Sequence, residues 1–286
     1  MSRVKRDLVR KLQQNLALVL SDLDGTLLRP DNRIDPEDRR AIAQLQARGT
    51  DFGIASGRPL AMFRIYLEEL DVQGPVISCN GALVYEAGKS EPSYRRPMDA
   101  AEARACLDFL QRRDIDYLIY DEDCIYYPSH SKKIQAYHRY NALAHSRGSQ
   151  LAQVRPLEAT SRLQTEHIYK IYVHDPSLLS LPELRDFLRT ETSLVGASSR
   201  YDNLDIAPAG TSKASAAAWI LARRGLDARN LVFFGDSEND LELMNFAAYP
   251  IAMGNATEAC RQQAWACSAS NRRAGLAAFL RQYVLV

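Results

Sequence analysis

The stretch Leu18–Leu28 reads LVLSDLDGTLL. Its opening run of Leu and Val is too short for a helix and fits a strand buried on both faces. The run breaks off in Asp22-Leu23-Asp24-Gly25-Thr26. With a strand over residues 16–21, Asp22 and Asp24 stand at its C-terminal end, pointing the same way across one intervening residue. In open parallel α/β sheets the ligand crevice lies outside the carboxyl ends of the strands. Two carboxylates placed there, with no Lys or Arg between them, repel unless a cation joins them or one is protonated. Taken alone, the same pattern is also that of an Asx-rich turn.

The pattern recurs outward from that stretch. Asp35-Pro36 predicts a helix start, with Asp as N-cap and Pro at the first helical position, and Gly49 predicts its stop. Asp51–Ala55 (DFGIA) is a second strand ending in Ser56-Gly57-Arg58-Pro59, where a hydroxyl and backbone N–H groups can approach an anion. Met62, Phe63, Tyr66, Leu67 and Leu70 follow at helical spacing and read as core. PVISC over 75–79 is a third strand, followed by Asn80-Gly81-Ala82. Strand alternating with helix implies a parallel sheet with right-handed crossovers.

From residue 83 to 207 the character changes. This part holds all five histidines, and apolar clusters such as 117–120 and 168–173 alternate with helical segments around 101–112 and 182–190. It reads as a separate α+β domain inserted into the first. None of the histidines has ligand spacing, so each is expected at the surface or partly buried. The parallel pattern resumes near Pro208. Lys213 precedes the Ala-rich helix 214–222, a position the helix dipole disfavours unless an anion is bound beside it. LVFF (231–234) is a further strand opening onto Gly235-Asp236-Ser237-Glu238-Asn239-Asp240, YPIAM (249–253) is another, and 275–283 is a closing helix.

Composition narrows the class. The chain has 286 residues, 46% hydrophobic and 25% charged, with a net charge of +1, which is ordinary for a two-domain globular protein and gives no global field to attract nucleic acid or an anionic membrane. No apolar run is long enough to span a bilayer. Five scattered cysteines without a CxxC pair argue against zinc or a disulfide framework, and for a reducing, cytoplasmic setting. The basic residues 1–15, with Val4, Leu8, Leu12 and Leu16 at helical spacing, are expected to form an exposed amphipathic helix or loose arm, with a membrane-surface or targeting role as the lesser reading.

A parallel sheet would gather Asp22, Asp24, Ser56, Asp236, Asp240 and Lys213 into one crevice. Clustered carboxylates without softer ligands favour a hard, oxygen-seeking cation such as Mg²⁺, and a hydroxyl plus a lysine suit a phosphate. At this point the chain resembles the haloacid dehalogenase (HAD) superfamily of phosphohydrolases, in its Cof-like subfamily IIB. The matching motifs are DLDGT at 22–26, ASGR at 55–58, SCNGA at 78–82, SK at 212–213, GDSEND at 235–240 and IAMGNA at 251–256, in family order. Ala214 departs from a common Gly, and Arg273-Ala274-Gly275 lacks an acidic residue often found before that Gly.

The resemblance implies a Rossmann-like parallel-sheet core over 1–82 and 208–286, with residues 83–207 inserted as a cap of the C2B type. It implies that Asp22 is the nucleophile, forming an aspartyl-phosphate, and that Asp24 is the general acid and then base. Mg²⁺ would be held by the carboxylates of Asp22 and Asp236 and the backbone carbonyl of Asp24. Asp240 would orient Lys213 or a metal-bound water. Ser56 and Lys213 would hold the phosphoryl oxygens, with Gly25, Thr26, Gly57 and Asn239 completing the phosphate and substrate contacts. The substrate would be a small phosphorylated metabolite: a sugar phosphate, a nucleotide or flavin phosphate, or pyridoxal phosphate. Alternatives are a phosphotransferase or mutase acting on a sugar phosphate, and a non-catalytic ligand sensor. Neither nucleic acid nor membrane is expected as a partner.

Overall fold

The computed structural model describes residues 3–89, 91–159, 163–198 and 202–286, and side chains from residue 9 onward except that of residue 159. Strands form at the short, mostly apolar runs. Leu18–Ser21, Asp51–Ala55, Val76–Ser78, Leu231–Gly235 and Tyr249–Ala252 are almost wholly buried. They lie in the order Ala266–Cys267, Tyr249–Ala252, Leu231–Gly235, Leu18–Ser21, Asp51–Ala55, Val76–Ser78, Leu83–Tyr85. Every pairing in that series is parallel except the last, which is antiparallel. Burial on both faces explains why these strands read as continuous apolar runs.

Two short strands of this sheet escape sequence reading. Leu83–Tyr85 turns back to pair with Val76–Ser78, so the sheet extends past residue 82, where the expected core segment ended. Ala266–Cys267 is a two-residue edge with no apolar run to announce it.

The chain divides into two compact units, one of Met1–Ser56, Tyr66–Ser93 and Ser212–Val286, the other of Gly57–Ile65 and Tyr94–Thr211. The second unit contains its own sheet, ordered Leu194–Ala197, Asn203–Pro208, Lys170–His174, Asp116–Tyr120, Cys124–Tyr127, Gln153–Pro156. Its pairings are antiparallel apart from that between Cys124–Tyr127 and Gln153–Pro156. A separate apolar core, including Leu110, Ile119, Ile171, Leu184 and Ile206, packs this sheet against the helices Ala100–Arg112 and Leu181–Glu191. Of the histidines, 130, 138, 145 and 167 are exposed and 174 is half-buried.

The N-terminal segment differs from expectation. Arg3–Asn15 is a helix, but it is docked rather than loose. Leu12 is fully buried and Val9 nearly so. Gln13 donates to the Tyr283 carbonyl at 3.0 Å, and Asn230 donates to the Asn15 carbonyl at 2.7 Å. Its apolar stripe covers part of the core, which is how most short helices gain their stability. The side chains of Val4 and Leu8 lie outside the described residues. Among the described residues no helix is long and apolar enough to cross a membrane.

The expected caps form. Asp35 accepts from the Glu37 amide at 2.9 Å, Pro36 opens the helix Pro36–Ala47, and Gly49 leaves it at φ +83°. On the same helix Asp38 is fully buried and accepts from the Ala277 amide at 2.7 Å, so it serves as a cap for the start of Gly275–Tyr283, whose own N-cap residue, Ala274, supplies no side-chain bond. Burial pushes the Asp38 carboxyl up to about 7, against the hydrogen bond from Ala277. A carboxyl raised in the folded state contributes stability below its unfolded value of 3.8 and loses it as pH climbs through about 7. Asp38→Asn removes that titration. Chemical unfolding of the two proteins should show the wild type losing on the order of 2 kcal/mol relative to the Asn variant between pH 5 and pH 8.

Candidate active site

Register assembles the site. Ser21 lies opposite Phe234 on one side and Ile54 on the other. Asp22 therefore emerges level with Gly235 and Ala55, and Asp236 and Ser56 emerge one residue later. Sheet pairing continues through the Asp22 amide, which donates to the Phe234 carbonyl at 2.9 Å. The carboxylates and the hydroxyl thus leave three adjacent parallel strands at the same end, where the crevice of such a sheet lies.

Lys213 is the first residue of the helix Lys213–Arg223, which is held by a reciprocal capping box between Ser212 and Ser215. The lysine is 1% exposed. Its Nζ donates to Asp22 Oδ1 at 2.5 Å and to Asp240 Oδ1 at 2.7 Å. Burial alone would lower its pKa, but the two carboxylates outweigh burial and raise it, so the ammonium is charged. The dipole penalty expected at this helix start is thus met by two buried anions of the protein itself.

Asp240 is completely buried, and its other oxygen accepts from the amides of Asp236 (2.9 Å) and Ser237 (3.1 Å). It pins both the lysine and the loop that presents Asp236. Thr26, also fully buried, donates from Oγ1 to Asp236 Oδ1 at 2.7 Å. Its hydroxyl is thereby committed to a carboxylate. Gly25 has φ +80°, and a Cβ there would stand 2.3 Å from Asp236 Oδ2, so only glycine lets the loop approach so closely.

Ser56 is buried, its amide donating to the Ile77 carbonyl at 2.9 Å. Asn239 donates to Asn80 Oδ1 at 3.3 Å and accepts from Ser237 Oγ at 2.8 Å. The Asp24 side chain is exposed and does not join the carboxylate cluster. Gly57 belongs to the second unit, where its carbonyl accepts from the buried Lys170 at 2.7 Å.

Asparagines that sequence reading passed over hold the loop after Asp24. Asn255 donates to the Gly25 carbonyl at 2.7 Å, accepts from the Asn271 amide at 3.0 Å, and Asn271 donates to the Leu28 carbonyl at 2.7 Å. The only signal was the Gly254-Asn255-Ala256 strand end; Asn271 carried none.

Asp22, Asp236 and Asp240 each bring an oxygen within 4.8 Å of the others. Desolvation and the neighbouring carboxylates push Asp22 well above the usual carboxylate range, against the pull of Lys213. Burial likewise raises Asp236 to about 7. Three ionised carboxylates facing one ammonium leave two negative charges uncompensated, a deficit that suits a divalent, oxygen-seeking cation. Both Asp240 oxygens are already engaged, so Asp22 and Asp236 are the pair left to hold the ion.

The haloacid dehalogenase-like hydrolase family model matches residues 19–280, and the chain belongs to that family. It is 27% identical to the pyridoxal phosphate phosphatase YbhA of Escherichia coli (strain K12), over 94% of this chain and 98% of that protein. It is 26% identical to the 5-amino-6-(5-phospho-D-ribitylamino)uracil phosphatase YwtE of Bacillus subtilis (strain 168), over 91% and 96%. Its fold matches a haloacid dehalogenase-like hydrolase from B. subtilis with a TM-score of 0.82 at 21% identity, covering 94% of this chain and all of that one. The HAD subclass IIB sugar phosphatase BT4131 matches with a TM-score of 0.78 at 19% identity over 94% and 100%.

Lys213→Met strands Asp22 and Asp240 without their shared cation. Urea unfolding should show a loss of about 3 kcal/mol at pH 8, shrinking toward pH 5 as the buried carboxylates take up protons.

Proposed function

We propose that this protein is a Mg²⁺-dependent phosphatase of small phosphorylated metabolites, working through an aspartyl-phosphate on Asp22. The observation that carries the reading is the buried Asp22–Lys213–Asp240 chain beside Asp236, at the carboxyl ends of parallel strands. Family membership and relatives that are phosphatases by name support the same class of reaction.

In this reading Lys213 fixes the Asp22 carboxylate through Oδ1, and that carboxylate attacks phosphorus in line with the leaving oxygen. The carboxyl of Asp24, which is exposed, would protonate the departing oxygen and then take a proton from the water that hydrolyses the acyl phosphate. Lys213 and Ser56 stabilise the charge on the phosphoryl oxygens, together with Asn239 and the amides of Gly25 and Gly57. Thr26 and Asp240 keep Asp236 and Lys213 in place. The carboxylates of Asp22 and Asp236 and the Asp24 carbonyl would hold Mg²⁺, which supplies positive charge against the phosphate dianion. The second unit would act as the cap and select the leaving group. Pyridoxal phosphate, an aminouracil ribityl phosphate and sugar phosphates are the substrates suggested by relatives.

Purified protein should release inorganic phosphate from one or a few members of such a panel in Mg²⁺ and none in chelator. Asp22→Asn should fold, with a thermal midpoint in chelator at or above that of the wild type because one buried anion is gone, and should lose turnover by at least about 10³-fold. Near-normal turnover of that variant would remove Asp22 from the nucleophilic role. Transfer to an added sugar in preference to water would replace hydrolysis with phosphotransfer.

A further inference from the structure

The turn after Val76–Ser78 holds three successive residues at positive φ: Cys79 (+51°), Asn80 (+55°) and Gly81 (+103°). Glycine adopts this region freely and asparagine tolerates it, but a cysteine there is uncommon. Strain of this kind persists only where the surroundings over-determine it, and it gathers at functional sites.

The surroundings here are three segments of the candidate active site. The Asn80 amide donates to the carbonyl of Ser56 at 3.0 Å. A Cβ on Gly81 would lie 2.1 Å from the carbonyl oxygen of Ser212, the cap of the helix that begins with Lys213. The Asn80 side chain accepts from Asn239 Nδ2 at 3.3 Å. The turn thus touches the Ser56, Lys213 and Asn239 segments together, from within one compact unit.

We propose that Asn80 is a positioning residue that acts through Asn239. The inference rests on the phosphatase reading, in which Asn239 contacts the phosphoryl group. The Asn239 amide is held at both ends: Oδ1 accepts from Ser237 Oγ at 2.8 Å, and Nδ2 donates to Asn80 Oδ1. A flipped Asn239 would set its oxygen against that of Asn80, which the pairing disfavours. In the phosphatase reading the second Nδ2 hydrogen is the one that would meet a phosphoryl oxygen. The left-handed backbone is what turns the Asn80 side chain to the Asn239 loop, since an extended residue at 80 would point elsewhere.

The test is a double-mutant cycle with Asn80→Gly, Asn239→Ala and the pair, read as kcat and KM for phosphate release from p-nitrophenyl phosphate in Mg²⁺. Glycine keeps the left-handed φ and removes the side chain alone. Asn80→Gly should lower kcat/KM about tenfold, the scale of one misplaced hydrogen bond, while its thermal midpoint stays near that of the wild type. In the Asn239→Ala background it should change kcat/KM by less than about twofold. Wild-type kcat/KM in Asn80→Gly, or the same fold loss in both backgrounds, would overturn the proposal. If Asn80→Gly does not fold, Asn80→Ala is read through the same cycle by the same criteria. Calorimetric titration with inorganic phosphate separates the two readings. A wild type that releases no phosphate from any ester defeats the phosphatase reading. Positioning still stands or falls on phosphate affinity, expected about tenfold weaker in Asn80→Gly and overturned if unchanged.

Discussion

A single buried ammonium sets the terms for the first unit. Lys213 reaches from a helix start to Asp22 and Asp240, and neither it nor Asp240 meets solvent. Three elements far apart in sequence meet at that nitrogen: the end of the first strand, the helix after the second unit, and the loop after Leu231–Gly235. Taking these charges out of water is costly, and their pairing offsets the cost only with close geometry and satisfied oxygens. Asp240 meets that condition through two backbone amides. Asp22 and Asp236 do not, since burial raises both, and this is the imbalance a phosphatase uses. A site that is electrostatically unfinished binds a divalent cation and an anionic ester where a neutralised core would bind neither.

Precision in such a site also comes from how its loops are held to one another. Gly25 and Thr26 let Asp236 approach the DxD loop and hold it there. Asn255 and Asn271 fasten the far side of that loop to the last strand and helix of the chain. Cys79 and Asn80 accept an unfavourable backbone so that one turn can brace Ser56, Ser212 and Asn239. These groups use backbone carbonyls and amides as partners, and their cost in strain is spread over a rigid parallel sheet.

The second unit shows a similar habit away from the carboxylates. Lys170, 3% exposed, lies 2.7 Å from Asp205 and donates to the Gly57 carbonyl. The tyrosine rings of residues 120 and 172 stand within 6 Å of its ammonium. Within that unit a paired, desolvated charge therefore holds the Gly57 carbonyl to the sheet.

Much of this was legible in the sequence. Apolar runs ending abruptly in Asp22, Ser56 and Asp236 located the central strands and the crevice, because strands buried on both faces read as continuous hydrophobic stretches and parallel order follows from alternating helices. Local chemistry also fixed the cap at Asp35 and the turn at Gly49, since each depends on neighbours within three residues. The rest was decided in three dimensions. That Thr26 serves Asp236, that Asn80 meets Asn239, that Asp38 caps a helix 239 residues away, and that Leu12 is core depend on contacts between distant segments. The two-residue strand Ala266–Cys267 exists because a neighbour offers it hydrogen bonds, with no periodicity of its own. The sequence by itself determined which residues can carry charge and where strands must end. Only the tertiary structure decided which carboxylates share a lysine and which side chains brace one another, because burial and pairing are properties of neighbours that local patterning does not encode.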